Sequence, residues 1–274
     1  MWIRPCSTAR SHSARRNEKE LWQIFDQLTA QIEEGEDVIF DITNAFRSIP
    51  VIVFIAIAYL RSARNVQLKA ITYGAFEAKE VDRTPVFDLS PFVNLLDWLN
   101  ASDQFIRTGN ATSLAGLLRQ SKPKYDPQNK QVFQSGKPLG EAADALDDVS
   151  LALRLILPDR AMEASEKLQT KMGVAAVSIQ KYAMPFTVLA EQVSATYTPL
   201  ALPNPRSADN VIASLVRERN LIEWYLQRNQ IVQAVSVARE WLVSWGMIQV
   251  GYRNLYDKSK RTKERLEGNV IVEG

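Results

Sequence analysis

The chain has 274 residues, a length that allows one large domain or two ordinary ones. Its net charge is +2 and its hydrophobic fraction is 46%. A charge so near neutral gives no argument for non-specific binding to nucleic acid. Cys6 is the only cysteine, which excludes an intrachain disulfide and fits a reducing cytoplasm. His12 is the only histidine, so zinc sites of the Cys/His type are effectively excluded, and we predict neither a metal nor a cofactor. The longest apolar run, residues 51–60, is too short to span a bilayer.

The first part of the chain predicts a strand, a polar loop and a helix in succession. Residues 1–16 are expected to be a disordered lead-in, and residues 17–32 show helical spacing of apolar side chains. Residues 37–42 form a short apolar run that predicts a strand buried on both faces. Pro50 suits the first turn of a helix, and the apolar run that follows it predicts a buried helix.

The next segment predicts a second strand beside the first. Residues 66–73 alternate in the manner of a strand, so the predicted helix near 50–63 becomes a crossover between two parallel strands. Residues 84–89 are extended, but Pro85 makes them an edge strand at best. Two parallel strands cannot cover both faces of a sheet, so we expect either another chain to complete the sheet or its first strands to be missing.

The second half of the chain predicts helices throughout. Ser90 is expected to start a helix with five large apolar residues on its buried face, and a shorter helix covers 111–120. The five are Phe92, Leu95, Leu96, Trp98 and Leu99. Residues 121–138 are rich in proline and poor in large apolar side chains, which indicates an exposed connection between domains. Helical patterns then run near 139–157, 159–183, 186–197, 207–227 and 229–246.

These elements predict a fold of the α/β plus all-α class. Residues 17–125 would form a partial Rossmann-like domain with a parallel sheet, and residues 139–274 a helical domain. The loop after the first strand would lie at the carboxyl end of that strand and at the N-terminus of a helix. Open α/β sheets bind ligands at this place, and free backbone N–H groups there favour anions.

This loop carries the most specific motif of the chain. Residues 41–50 read Asp-Ile-Thr-Asn-Ala-Phe-Arg-Ser-Ile-Pro. They resemble the Asp-x-Thr-His-Gly-Phe-Arg-Ser-x-Pro motif of the CARF–HEPN proteins, the DxTHG-motif ancillary proteins of type III CRISPR systems. Residues 20–25, 71–76 and 84–89 are similar to that family in the same order, and residues 233–242 resemble the start of its helical HEPN domain.

The resemblance implies a function for each half. A CARF domain forms a homodimer and binds cyclic oligoadenylate, and binding switches on a ribonuclease in the HEPN domain that acts on single-stranded RNA. The resemblance therefore implies a cytoplasmic protein that acts in antiviral defence and does not bind a membrane. The sequence leaves the ring size of its ligand open. The candidate ligand contacts are Thr43, Asn44, Ala45, Phe46, Arg47, Tyr73 and Gly74.

Several residues of the two halves also have a purely structural explanation. Asp41 can position the loop by accepting backbone N–H groups, and Arg47 can form an ion pair instead of binding phosphate. Phe46 suits a core, and Gly74 suits a turn. In the helical half, an ion pair explains Arg239 and Glu240 as well as support of a nuclease centre does. No catalytic residue is assigned.

The chain departs from the family pattern in three places. Asn44-Ala45 replace the His-Gly of the motif, and asparagine cannot carry a proton. The first strand of the expected domain and its ligand-binding turn are missing. No histidine follows His12, so the Arg-x4-6-His pattern of a HEPN nuclease is absent. Truncation at both ends, as in a fragment or partial gene, would account for the last two departures, and the chain alone is then expected to be inactive as a nuclease.

Two other functions remain open from the sequence. A CARF domain can cleave its own cyclic oligoadenylate as a ring nuclease, with Thr43, Asn44 and Arg47 orienting a ribose 2′-hydroxyl. The chain can also be a non-catalytic binding or scaffold protein, whose helical half supplies only a dimer surface.

Overall fold

The structure, a computed structural model, describes residues 18–45, 49–78, 83–252 and 255. The predicted lead-in, 1–16, lies outside the described residues. The chain divides into two compact units, Met1–Asp97 and Trp98–Gly274. This division lies before the predicted connection at 121–138, because the helix that precedes this connection packs in the core of the second unit.

The N-terminal unit contains a small sheet of mixed direction. Its strands are β1 (Asp37–Asp41), β2 (Gln67–Gly74) and β3 (Val86–Asp88), in the order β1-β2-β3. β1 and β2 are parallel and are joined by helix α2 (Ile49–Ala63), which confirms the predicted strand–helix–strand unit. β3 pairs antiparallel with β2 at the edge of the sheet, as Pro85 predicted. Helix α1 (Glu18–Ala30) precedes the sheet.

The core of this unit lies on one face of the sheet. Val38 and Phe40 of β1 pack there with Ile57 of α2 and with Ile71 of β2. The prediction that β1 is buried on both faces is wrong, because Ile39 on the other face is 45% exposed. α2 packs on the same face of the sheet as Val38. The described part of the unit therefore buries only alternate residues of β1.

α2 is also less buried than its apolar sequence predicted. Val51, Ile55 and Tyr59 lie one turn apart, and each is more than half exposed. The opposite side of the helix, which includes Val53 and Leu60, is buried in the core. The apolar run therefore covers both a core face and a surface face of one helix.

The second unit is helical after residue 140 throughout its described part, as predicted. Helix α3 (Ser90–Thr108) contains the division between the units. The later helices are α4 (Thr112–Ser121), α5 (Lys130–Ser135), α6 (Lys137–Arg154), α7 (Pro158–Tyr182), α8 (Thr187–Tyr197), α9 (Val211–Leu226) and α10 (Ile231–Gln249). The segment predicted as an irregular connection contains the short helix α5.

The predicted buried face of α3 is mostly wrong. Trp98 is buried, but Phe92 and Leu99 are each more than half exposed, and Leu95 and Leu96 are each at least 40% exposed. The side chains that enter the core of the second unit include Ala101 and Phe105, one turn apart. The prediction placed the large side chains of the first turns in the core, whereas the α3 side chains that enter the core of the second unit lie from Trp98 onward.

Three distant side chains complete the C-terminal end of α3. The last carbonyls of a helix have no partner within the helix, and a buried end needs donors from elsewhere. Here the donors come from residues after α7, and they hold the end of α3 inside the core. The Tyr197 hydroxyl donates to the carbonyl of Phe105 (2.6 Å), the Arg228 guanidinium to that of Ile106 (2.8 Å), and the Gln230 amide to that of Thr108 (2.9 Å).

Candidate functional site

The loop that follows β1 is a tight turn held by the last residue of the strand. The Thr43 backbone N–H donates to Oδ1 of Asp41 over 3.0 Å, and the Ala45 N–H donates to the carbonyl of Ile42 over 3.1 Å. An aspartate that accepts the N–H two residues later is a common way to start such a turn. Asp41 is therefore a structural residue of the loop.

The loop is hydrogen-bonded to the carboxyl end of β2. The backbone N–H of Gly74 donates to the Thr43 hydroxyl over 2.9 Å. A Cβ atom at position 74 would lie 3.1 Å from Cγ2 of Thr43 and 3.3 Å from its Oγ1, which is closer than ordinary packing. The absence of a side chain at Gly74 thus lets the loop approach the neighbouring strand. Two of the candidate ligand contacts, Thr43 and Gly74, therefore lie together at the same edge of the sheet.

Tyr73 borders the same edge with a polar contact of its own. Its hydroxyl donates to a carboxyl oxygen of Glu77, which lies in the short 3-10 helix Phe76–Ala78. This hydrogen bond raises the pKa of Tyr73 and lowers the pKa of Glu77. The sequence analysis did not identify Glu77. Its position four residues after Tyr73 was the feature of the sequence that could have indicated this contact.

The remaining candidates differ in accessibility. Asn44 is exposed at the tip of the loop, so its amide can meet a ligand. Ala45 is half-buried and packs against the core of the unit. Phe46 and Arg47 lie outside the described residues. The structure therefore places Thr43 and Gly74 in contact, with Asn44 beside them, and leaves the role of Arg47 as a prediction.

The electrostatic setting of the loop is simple. Asp41 is exposed, and the loop presents backbone groups and the amide of Asn44. Among the described residues, no three His, Cys, Asp or Glu side chains come together in a way that could hold a metal ion. A search of the same residues for a helix long and apolar enough to cross a membrane finds none.

A separate cavity of about 790 Å³ lies in the second unit, between the start of α7, the segment before α9, and residues of α9 and α10. Its charged side chains are partly neutralised by one another. Arg239 forms an ion pair of 2.9 Å with Glu240, and Arg206 forms one of 2.9 Å with Asp159. For Arg239 the structure thus shows the ion pair that the sequence offered as the alternative to a catalytic role.

Comparison with known proteins gives two matches. Residues 94–199 match the family model for the second domain of CRISPR-associated protein MJ1674. A protein with that name from Methanocaldococcus jannaschii is 33% identical to this chain over 130 residues, which are 46% of this chain and 19% of the relative. Both matches support a CRISPR-associated protein.

The matched range locates this likeness in the chain. It begins inside α3, close to the division between the compact units, and ends after α8. The loop after β1 lies outside the range matched by the family model. The chain spans about a fifth of the length of the relative, so what that whole protein does is not carried over to this chain.

Proposed function

We propose that this chain is a CRISPR-associated protein that acts in type III antiviral defence and binds cyclic oligoadenylate through the loop after β1. The N-terminal unit would be a CARF-like partial Rossmann domain, and the second unit a HEPN-like helical domain. The protein would work in the cytoplasm as a homodimer. Support comes from the motif at 41–50, from the parallel β1–β2 pair, and from the two matches to a CRISPR-associated protein.

The observation that carries the proposal is the contact between Thr43 and Gly74. It brings the loop after β1 and the end of β2 to one point, where two parallel strands end and the next helix begins. Ligands of open α/β sheets bind at such a point. The Thr43 hydroxyl accepts the Gly74 N–H and still has its own proton to donate, and the Asn44 amide beside it is exposed.

The candidate residues would have different tasks in this site. Asn44 would hydrogen-bond a base edge or a phosphate oxygen of the ligand. Arg47, which the resemblance implicates, would pair with a phosphate, since a guanidinium binds phosphate through two parallel hydrogen bonds. Thr43, Gly74 and Tyr73 would shape the floor of the site, and Ala45 would support the loop from behind.

Titration calorimetry with cyclic tetra-adenylate and cyclic hexa-adenylate tests the proposal. We expect the chain to bind one of the two rings, and we expect Asn44→Ala and Arg47→Ala to weaken binding by about tenfold or more, as loss of hydrogen bonds to a charged group does. Asn100→Ala is the matched control, because Asn100 is an exposed asparagine on α3. Failure to bind either ring, or equal binding by all variants, would refute the proposal.

The same samples separate the alternative functions. Chromatography of the ligand after incubation shows whether the ring is opened, which would indicate a ring nuclease in place of a sensor. Binding without any change to the ligand or to added RNA would indicate a scaffold. Light scattering measures whether the chain is a dimer, with and without the ligand.

A further inference from the structure

A basic and aromatic surface lies in the second unit, around the turn between α4 and α6. It consists of Lys122, Lys124, Tyr125, Phe133, Lys181 and Tyr182, and we call it the lysine–aromatic surface. The sequence predicted this segment only as an exposed connection. It lies within the range that matches the second-domain family model, and far along the chain from the loop after β1.

The turn is built around the ring of Phe133. The Lys122 ammonium lies over this ring, 5.0 Å from its centroid, and the Tyr125 ring meets it edge-on at 5.4 Å with an interplanar angle of 90°. Gly136 packs so closely on Pro123 that a Cβ atom would lie 2.3 Å from Cδ of the proline. These contacts hold the lysine and the tyrosine in one arrangement instead of leaving them on a loose linker.

The last turn of α7 extends the surface. The hydroxyls of Ser135 and Tyr182 are 2.6 Å apart, and the Ser178 hydroxyl donates to the carbonyl of Ser135 over 2.8 Å. The Lys181 ammonium lies 5.1 Å from the centroid of the Tyr182 ring. A second lysine–aromatic pair therefore stands beside the first and is joined to it through α5.

The surface carries an excess of positive charge. Between residues 122 and 137 there are four lysines and one acidic residue, Asp126. The Asp126 carboxylate accepts the backbone N–H of Gln128 over 2.9 Å and so serves its own turn. The first carboxylate of α6, Glu141, lies 2.7 Å from Lys171. Lys122, Lys124 and Lys181 take part in none of the ion pairs formed among the described residues.

The exposed Tyr125 ring and the lysines outside ion pairs together favour one kind of ligand. Tyr125 is 60% exposed, although a tyrosine ring gains free energy when it is covered. Lysines without an exposed ring would be typical of an ordinary solvated surface and would not indicate a ligand. A ring between lysines can stack on an unpaired base while the ammonium groups meet the phosphates on either side.

We propose that the lysine–aromatic surface binds single-stranded nucleic acid, with one base stacked on Tyr125 and the flanking phosphates paired with Lys124 and Lys181. This function is separate from the binding of cyclic oligoadenylate and does not depend on it. The net charge of +2 of the chain did not suggest it, because the positive charge is local.

Fluorescence anisotropy with a labelled 20-nucleotide RNA, the same sequence as DNA, and the corresponding duplexes tests the proposal in the absence of cyclic oligoadenylate. We expect the full chain to bind the single strands more tightly than the duplexes. Tyr125→Ala should weaken single-strand binding by roughly tenfold, whereas Tyr125→Phe should keep it, because stacking needs the ring and not the hydroxyl. Lys124→Ala and Lys181→Ala should each lower the slope of log K against log salt by about 0.7.

Two controls match these variants. Arg160→Ala removes an exposed cation from the first turn of α7, at the end of the helix opposite to Lys181. Tyr59→Ala removes a tyrosine that is 54% exposed on α2. Neither should change binding. The proposal is overturned if single strands do not bind, if duplexes bind equally well, or if Tyr125→Ala and both lysine variants bind like the unaltered chain while their circular dichroism shows that they are folded.

Discussion

The backbone N–H of Gly74 donates a hydrogen bond of 2.9 Å to the Thr43 hydroxyl, across 31 positions of sequence. This bond joins the loop after β1 to the end of β2 and depends on the missing side chain at position 74. We predict that Gly74→Ala destabilises the N-terminal unit by about 1 to 3 kcal/mol, because the added methyl group would press on Cγ2 of Thr43. Hydrogen exchange of the β1 and β2 amides, followed by mass spectrometry, measures this change for one unit alone.

A double-mutant cycle makes this prediction sharper. Thr43→Ser keeps the hydroxyl and removes the methyl group at 3.1 Å, so the cost of Gly74→Ala should be smaller in that background. Gly173→Ala is the control, because a Cβ atom there meets nothing within 4 Å in the middle of α7. Additive effects of Thr43→Ser and Gly74→Ala would show that the two residues do not press on each other.

Arg228 stabilises the second unit through its planar guanidinium. The group lies over the Trp224 ring at 4.1 Å and donates to the carbonyls of Ile106 (2.8 Å) and Trp224 (3.0 Å). We predict that Arg228→Lys costs about 2 kcal/mol, since a lysine cannot stack and donate in the same plane. Urea unfolding followed by far-ultraviolet circular dichroism measures the loss. Arg239→Lys, with a side chain 74% exposed, should change stability by less than about 0.5 kcal/mol.

Two buried tyrosines should make the protein sensitive to alkali. Tyr197 donates to the carbonyl of Phe105 and Tyr225 to that of Leu153, and burial raises the pKa of each hydroxyl above its ordinary value of 10.0. Below pH 10 both folded and unfolded forms keep the protons, so the stabilisation is complete. Above pH 10 the unfolded chain loses them first, and the free energy of unfolding should fall by up to about 1.4 kcal/mol per pH unit for each tyrosine.

Unfolding by urea at several values between pH 8 and pH 11 measures this dependence. The single variants Tyr197→Phe and Tyr225→Phe should each be less stable at pH 8, by about 1 to 3 kcal/mol, because a buried carbonyl loses its donor. Each should also show a shallower decline above pH 10. Tyr125→Phe, at an exposed position, should leave the decline as it is. An equally steep decline in the buried variants would mean that other groups cause it.

We predict that this chain alone does not cut RNA by a HEPN mechanism. That mechanism uses an arginine to stabilise charge on the phosphate and a histidine for proton transfer, and the only histidine is His12. Loss of a proton carrier costs on the order of a hundredfold to ten-thousandfold in rate. The test is incubation with single-stranded RNA, with and without cyclic tetra- and hexa-adenylate. Ligand-dependent cleavage that survives His12→Ala but disappears in Arg239→Ala would contradict the prediction.

The periodicity of the sequence determined the elements of this protein. Alternating and helical spacings depend on neighbours within one or two turns, so they predicted the parallel β1–β2 pair, α2 between them, the edge position of β3, and the helices after residue 140. Local chemistry also placed the loop of Thr43 and Asn44 at the carboxyl end of a strand. The contact of this loop with Gly74 followed from parallel pairing, because neighbouring parallel strands end at the same edge.

Only the tertiary structure decided which faces are buried and which side chains complete them. Ile39 and Val51 are as apolar as their buried neighbours, and their exposure depends on which elements the fold places over them. The same holds for Tyr197, which reaches the end of α3 across 92 positions of sequence, and for Lys181, which α7 brings beside the turn that holds Tyr125. Packing of this kind is set by contacts between distant segments, and no local pattern of residues records such contacts.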